Sequence, residues 1–224
     1  CKAASKTWTA YSTNNWQGCV TDRDLKQAND NDTTNATPTA SDPTTLFVAK
    51  NYSDCSASVL PMKSAYDSNE SDSSTNDTTL KGKINNLDAQ GGTNQPIGIH
   101  WAWMSLQTSD PLNTPAKDTD YKYTDAIIVL SDGQNTFDYW NGTGQYYESS
   151  VDDRQKLLCD NIKNPANGKV TVYAIQVNTT NDPDSAILKY CANDGQFFQS
   201  KTADQIALAF QAIGSSLTKL RLAQ

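Results

Sequence analysis

Asp125 to Thr136 reads DAIIVLSDGQNT. Five apolar residues in a row, Ala126 to Leu130, stop at a polar turn opened by Ser131 and Asp132. A strand with one wet face would alternate. Unbroken apolarity over so short a length describes a strand covered on both faces, as in a parallel sheet. Downstream come a second such run, Val170 to Val177 (VTVYAIQV), and a shorter third, Gln196 to Gln199 (QFFQ).

Helical patterns fill the gaps. One spans about Val151 to Lys163, with Val151, Leu158 and Ile162 on one side; another runs from about Asp184 to Cys191, after Pro183. The last opens with a capping box, Thr202 and Gln205, and carries Ile206, Phe210, Ile213, Leu217 and Leu220 as one stripe. A fourth helix is expected from Pro96 to Leu106, because proline suits the first helical position and Ile97, Trp101 and Met104 share a face. This order predicts an α/β fold, an open and mainly parallel sheet with helices on both faces and right-handed crossovers.

The amino-terminal part is different. Asn29 to Pro43 and Tyr66 to Thr79 consist almost entirely of Asn, Asp, Ser, Thr and Ala, too polar to offset their ordering entropy by burial, so both are expected as long surface loops. Thr45 to Ala49 (TLFVA) is a candidate short strand, and Trp8, Tyr11 and Trp16 are expected to pin the loops to the core. The expected organisation is a loop-rich region with few short strands over residues 1–80, followed by the sheet-bearing part over 81–224.

Charge and composition exclude several roles. The net charge is −7 and no basic cluster exists, which argues against nucleic acid. The longest uncharged apolar run, Ala126 to Leu130, falls far short of the roughly 20 residues of a membrane span. The chain starts at Cys1 without an initiator Met, so it is expected to be processed or cut from something longer. Its five cysteines, Cys1, Cys19, Cys55, Cys159 and Cys191, form no CxxC pair, and only one histidine accompanies them. Disulfides therefore suit them better than zinc, with an exported, oxidising location. Separation along the chain favours Cys19 with Cys55 and Cys159 with Cys191, leaving Cys1 to a partner in sequence missing here. Seven N-x-S/T sequons, at Asn31, Asn35, Asn51, Asn69, Asn76, Asn141 and Asn178, suggest glycosylation, but chance in an Asn/Thr-rich chain is the favoured reading.

Ligands of open parallel sheets gather at the carboxyl ends of the strands. Asp132 falls there, beside Ser131 and Asn135. Thr93, in GGTNQP, precedes a helix, and its two glycines let that loop approach a ligand closely. A hydroxyl and a carboxylate are hard oxygen donors of the kind Mg²⁺ or Ca²⁺ prefers. The plainer alternative is that Asp132 caps a turn and Thr93 caps the helix. Asp118, Asp120 and the Asp72 to Asp77 stretch lack the spacing of a calcium loop and read as solvated.

Nothing converges on a reaction. His100 lies in the apolar IHWAWM run, where a packing or surface role is expected ahead of catalysis, and Asp152 with Asp153 suits a helix start better than a glycosidase pair. Asp182 and Asp184 invite the same comparison. Two rivals to a non-catalytic module stand. One is a secreted adhesin that binds glycans through Tyr139, Trp140, Tyr146 and Tyr147; the other is a hydrolase on the same sheet.

The segments GGTNQPIGIHWAW, VLSDGQNT and AFQAIGSSLTKLRL, with WQGCVTDRD, LCDNIK and YCANDG, together resemble the von Willebrand A-type domain of TadG-like (TadE/TadG family) Flp pilus-assembly proteins. They are scattered over much of the chain between Trp16 and Leu222. The resemblance implies a Rossmann-like fold and a bacterial protein in the periplasm or at the cell surface, tethered by an upstream transmembrane helix and serving pilus assembly or adhesion. It also implies a divalent cation held by three loops. Thr93 and Asp132 match two of them, while the DxSxS of the first is absent, so the site is incomplete in this chain. The central first strand is absent with it. Residues 81–224 would then be the carboxy-terminal part of such a domain, completed by an upstream segment or a second chain. Without that completion the strand at Ala126 to Leu130 would present a bare apolar edge.

Overall fold

A computed structural model describes residues 16–23, 31–51, 58–64, 70–88 and 91–222. The core is a three-stranded parallel sheet of β3 (Asp125–Ser131), β4 (Val170–Val177) and β5 (Phe197–Ser200), in the order β3-β4-β5. The first two strands have the bounds that their apolar runs predict. The third begins one residue later than expected, at Phe197, after a turn in which the N–H of Gln196 donates to the Asn193 carbonyl.

Helices cover both faces. On one lie α2 (Gln95–Met104), α3 (Ser149–Lys163) and α4 (Ala186–Cys191), whose Ile99, Trp103, Leu158, Ile162, Ile187 and Leu188 pack with Ile127, Val129, Val170, Val172 and Ala174 of the sheet. On the other lies α5 (Ala203–Leu222), whose Ala209 and Ile213 bury against Tyr173 and Ile175 of β4. The expected stripe of α5 is only partly covered. Ile213 is buried, but Phe210 is exposed, and the Leu220 side chain lies outside the described residues. At its start the N–H of Gln205 donates to the Thr202 hydroxyl as expected, while the side-chain Oε1 of Gln205 accepts from the N–H of Lys201 rather than Thr202.

The face of α2 also differs from expectation. Met104 is buried as expected, but Ile97 and Trp101 are only half-buried, and the residues buried with Met104 are Ile99, His100 and Trp103. The reason is a second layer. Residues 31–47 lie over α2, with Phe47 stacked near His100 and Trp101 at 5.3 and 4.6 Å between ring centroids. A helix buried on two sides has no single apolar stripe.

Within the amino-terminal region the described elements are short. β1 (Val20–Thr21) pairs antiparallel with β2 (Val48–Ala49), so the strand expected over Thr45 to Ala49 contracts to two residues behind a single helical turn, Pro43–Thr45. A six-residue helix, α1 (Leu80–Asn85), follows the Thr79 cap, which accepts from the N–H of Gly82. Its Leu80 and Ile84, four residues apart, are exposed rather than packed on the core. Trp16 donates its indole N–H to the Cys19 carbonyl at 2.6 Å; Trp8 and Tyr11 lie outside the described residues.

Of the two expected bridges, Cys159–Cys191 is present and ties α3 to α4 with 5.1 Å between Cα atoms. Cys19 is also disulfide-bonded; Cys55, its expected partner, lies outside the described residues, as does Cys1. Two sequon asparagines are buried, Asn31 and Asn178, each bonded within the fold, so neither is open to a glycan.

β3 is an edge strand. β4 pairs along all seven of its residues, and among the described residues no strand pairs with its other side. Burial alternates along it: Ile127 and Val129 are buried under α2 and α3, whereas Ile128 and Leu130, on the face that α5 covers over β4 and β5, are 38% and 49% exposed.

Candidate functional site: the carboxyl-end rim of the sheet

Three loops meet where β3 and β4 end. The loop before α2 (91–94) and the loop after β3 (132–148) are joined by backbone bonds. The N–H of Thr136 donates to the Thr93 carbonyl at 2.9 Å, and the N–H of Thr93 donates to the Thr136 hydroxyl at 2.6 Å. The loop after β4 (178–185) joins them through Ser185, whose hydroxyl donates to the Gly133 carbonyl at 2.9 Å. Gly133 has a φ of +112°, and a Cβ there would stand 2.8 Å from the Ser185 Cβ, so glycine alone fits.

Thr93 and Asp132 therefore sit on loops in direct contact. Asn94, not Thr93, caps α2, accepting from the N–H of Ile97, and Asp132 is exposed. No hydrogen bond engages the Thr93 hydroxyl or the Asp132 carboxylate among the described residues. Both remain available to a ligand. Ser131 accepts from the N–H of Gly133 at 3.2 Å.

Asn135 is committed to the fold. Wholly buried, it accepts from the N–H of Gln95 at 2.9 Å and donates to Asp152 at 2.8 Å and Gln155 at 2.7 Å, locking the start of α2 to α3. Asp152 thus has a structural partner at the start of α3. Among the described residues no cluster of three or more His, Cys, Asp or Glu could hold a metal ion. A cation at Thr93 and Asp132 would need oxygen donors from elsewhere, in keeping with the missing DxSxS.

One rim residue escaped the reading of the sequence. Asp22 is buried, and its carboxylate accepts from the Asn94 amide at 3.0 and 2.9 Å, the Thr21 hydroxyl at 3.0 Å and the N–H of Tyr139 at 3.0 Å. It clasps three segments far apart in the chain. No local spacing signals such a role.

Beneath the rim lies a charged layer. Asp32 accepts from the Arg23 N–H and from the Arg154 guanidinium, both at 3.1 Å, while the Arg23 guanidinium, wholly buried, donates to the Asn31 and Ala36 carbonyls and lies 4.3 Å from the Phe47 ring centroid. Burial, reinforced by nearby Asp22 and opposed by Arg154, pushes Asp32 up to about 6. Burial and the Arg23 charge push His100 down to about 3. His100 is 1% exposed and its Nε2 bonds the Thr34 carbonyl at 2.7 Å, so the neutral ring carries its proton on Nε2. That proton is engaged and the ring is out of contact with solvent.

No family model, no curated protein and no solved structure matches this chain.

Proposed function

We propose that this chain is a non-catalytic, exported bacterial module of von Willebrand A type, TadG-like, that works by contact in pilus assembly, scaffolding or cell-surface adhesion. One observation carries the reading: among the described residues β3 has a free edge beside the exposed side chains of Ile128 and Leu130. A strand apolar on both faces belongs in the interior of a sheet, and an open, flat apolar edge invites pairing. A lone added strand would satisfy the edge but leave Ile128 and Leu130 wet. A strand with its own helix covers both. The chain accordingly acts joined to such a strand–helix unit, from an upstream segment or a second chain.

The burial of His100 supports the non-catalytic side, because a sealed imidazole offers no general base to a serine or cysteine nucleophile. The uncommitted hydroxyl of Thr93 and carboxylate of Asp132 support a divalent-cation contact, Mg²⁺ or Ca²⁺, that leaves a position for an acidic group of the partner. No helix among the described residues is long and apolar enough to cross a membrane, so any tether lies outside them.

The test is a Leu130→Arg variant expressed in the bacterium that makes this protein. Surface pili or attachment are expected to drop at least tenfold while the folded amount of the chain is unchanged. Normal piliation and attachment would overturn the proposal.

A further inference from the structure

Between β3 and α3 the chain reads DYWNGTGQYYE over residues 138–148. All four aromatic side chains of this stretch are exposed, from 37% for Tyr139 and 43% for Trp140 to 77% for Tyr146, with Tyr147 between. Tyr139 and Trp140 touch and Tyr146 adjoins Tyr147 in sequence, and exposed rings grouped on one loop in this way mark a contact site.

The loop is held from both sides. The Asp138 carboxylate accepts from the N–H groups of Trp140 and Asn141 at 2.7 and 2.6 Å and from the Asn141 amide at 3.1 Å. Asp22 anchors the N–H of Tyr139, and Phe137 bridges to Gly142. Gly144 rests against Gly92 so closely that a Cβ on Gly92 would lie 2.6 Å from the Gly144 Cα. The Tyr147 hydroxyl donates to Asp152 at 3.0 Å. Tyr139 meets Trp140 edge to face at 4.5 Å. Rings carried on so restrained a backbone lose little entropy when they bind.

We propose that this loop is a carbohydrate platform that takes uncharged pyranose units of a polysaccharide, which deepens the adhesive branch of the function proposed above and rests on it. Three observations select this ligand. Tyr and Trp pair an apolar face with a polar tip, matching the C–H face and hydroxyl rim of a pyranose. Asn141, Thr143 and Gln145 lie between the two pairs of rings and offer polar side chains to sugar hydroxyls, while neither Met nor Arg, both enriched with the aromatics at protein contacts, occurs from Asp138 to Glu148. Finally, no Lys or Arg occurs from Tyr123 to Asp153, whereas Asp132, Asp138, Glu148, Asp152 and Asp153 do. The Lys50 ammonium stands 5.2 Å from the Tyr139 ring centroid and Lys156 pairs with Asp153, so two positive charges stand against these five carboxylates, and the net negative field still disfavours anionic sugars, nucleic acids and acidic lipid surfaces.

Affinity electrophoresis of the intact chain through gels containing mannan, hydroxyethyl cellulose or glycol chitin tests this, with polygalacturonate as the anionic control. Retardation in at least one neutral polymer is expected. It should weaken at least tenfold in Trp140→Ala and in Tyr146→Ala, survive in Trp140→Tyr, and be unchanged in Tyr121→Ala, an exposed aromatic outside the loop. An unchanged urea midpoint in the alanine variants separates lost binding from lost folding, and Trp140→Tyr keeps the test decisive if Trp140→Ala unfolds. Absence of retardation in all three neutral polymers, equal retardation of every variant, or retardation in polygalacturonate alone overturns the platform. The piliation result for Leu130→Arg is independent of the outcome, so the two ideas fail separately.

Discussion

Both oxygens of the Asp22 carboxylate accept from the side-chain amide of Asn94, at 3.0 and 2.9 Å. The same Asn94 uses its amide oxygen to cap α2. One buried contact thus fixes the amino-terminal segment, the start of α2 and, through the N–H of Tyr139, the aromatic loop.

Removing the carboxylate strands donors in the interior. An unsatisfied buried donor costs roughly 1–3 kcal/mol. Asp22→Ala is therefore expected to lower stability by about 2–4 kcal/mol in urea unfolding, with Asp22→Asn, which keeps an acceptor, losing less. Equal midpoints for parent and Asp22→Ala would show that the clasp is not needed.

Two buried groups titrate with opposite sign. His100, held near 3 against its ordinary 6.5, binds fewer protons folded than unfolded. Its contribution is complete above about 6.5 and is lost as pH falls towards 3. Asp32, raised from 3.8 to about 6, binds more protons folded than unfolded. Its contribution is complete below 3.8 and is lost as pH rises through 6. On acidification from 6.5 to 4, His100 therefore makes the fold less stable and Asp32 opposes that loss. In urea midpoints measured across that range, His100→Gln should flatten the acid loss and Asp32→Asn should steepen it. Variant curves parallel to the parent's would remove both residues from the acid response.

Cys159 and Cys191 are 32 residues apart. In the chain-entropy view, closing such a loop contributes about 3–4 kcal/mol through the unfolded state. Replacing both cysteines by serine should lower the unfolding free energy by that amount, and dithiothreitol should lower the parent's by more than the variant's, which keeps the Cys19 disulfide.

The Thr93 hydroxyl and the Asp132 carboxylate give the cation proposal its own check. Calorimetry with Mg²⁺ and Ca²⁺ should register binding that Asp132→Ala abolishes and Thr93→Ala weakens at least tenfold. Heat unchanged by Asp132→Ala takes Asp132 out of the site.

How much of this was legible beforehand depended on how local each cause is. The apolar runs at Asp125–Ser131 and Val170–Val177 gave those strands their bounds, but only β4 is buried on both faces as such a run predicts, while Ile128 and Leu130 leave one face of β3 exposed. Helix α3 began two residues earlier than its apolar side suggested, since Ser149 and Ser150 follow the Glu148 cap and are both exposed. Pro96 located α2 to within a residue at its start, yet the cap fell on Asn94 rather than Thr93, a choice between adjacent polar residues that only backbone geometry makes.

The sequence by itself determined the alternation of strands and helices and favoured the pairing of Cys159 with Cys191. These follow from periodicity and from separation along the chain. Tertiary structure alone decided that His100 is sealed, that Asn135 is bound into the fold and that Asp22 clasps the rim. Each depends on contacts between residues dozens of positions apart, and no local pattern encodes those.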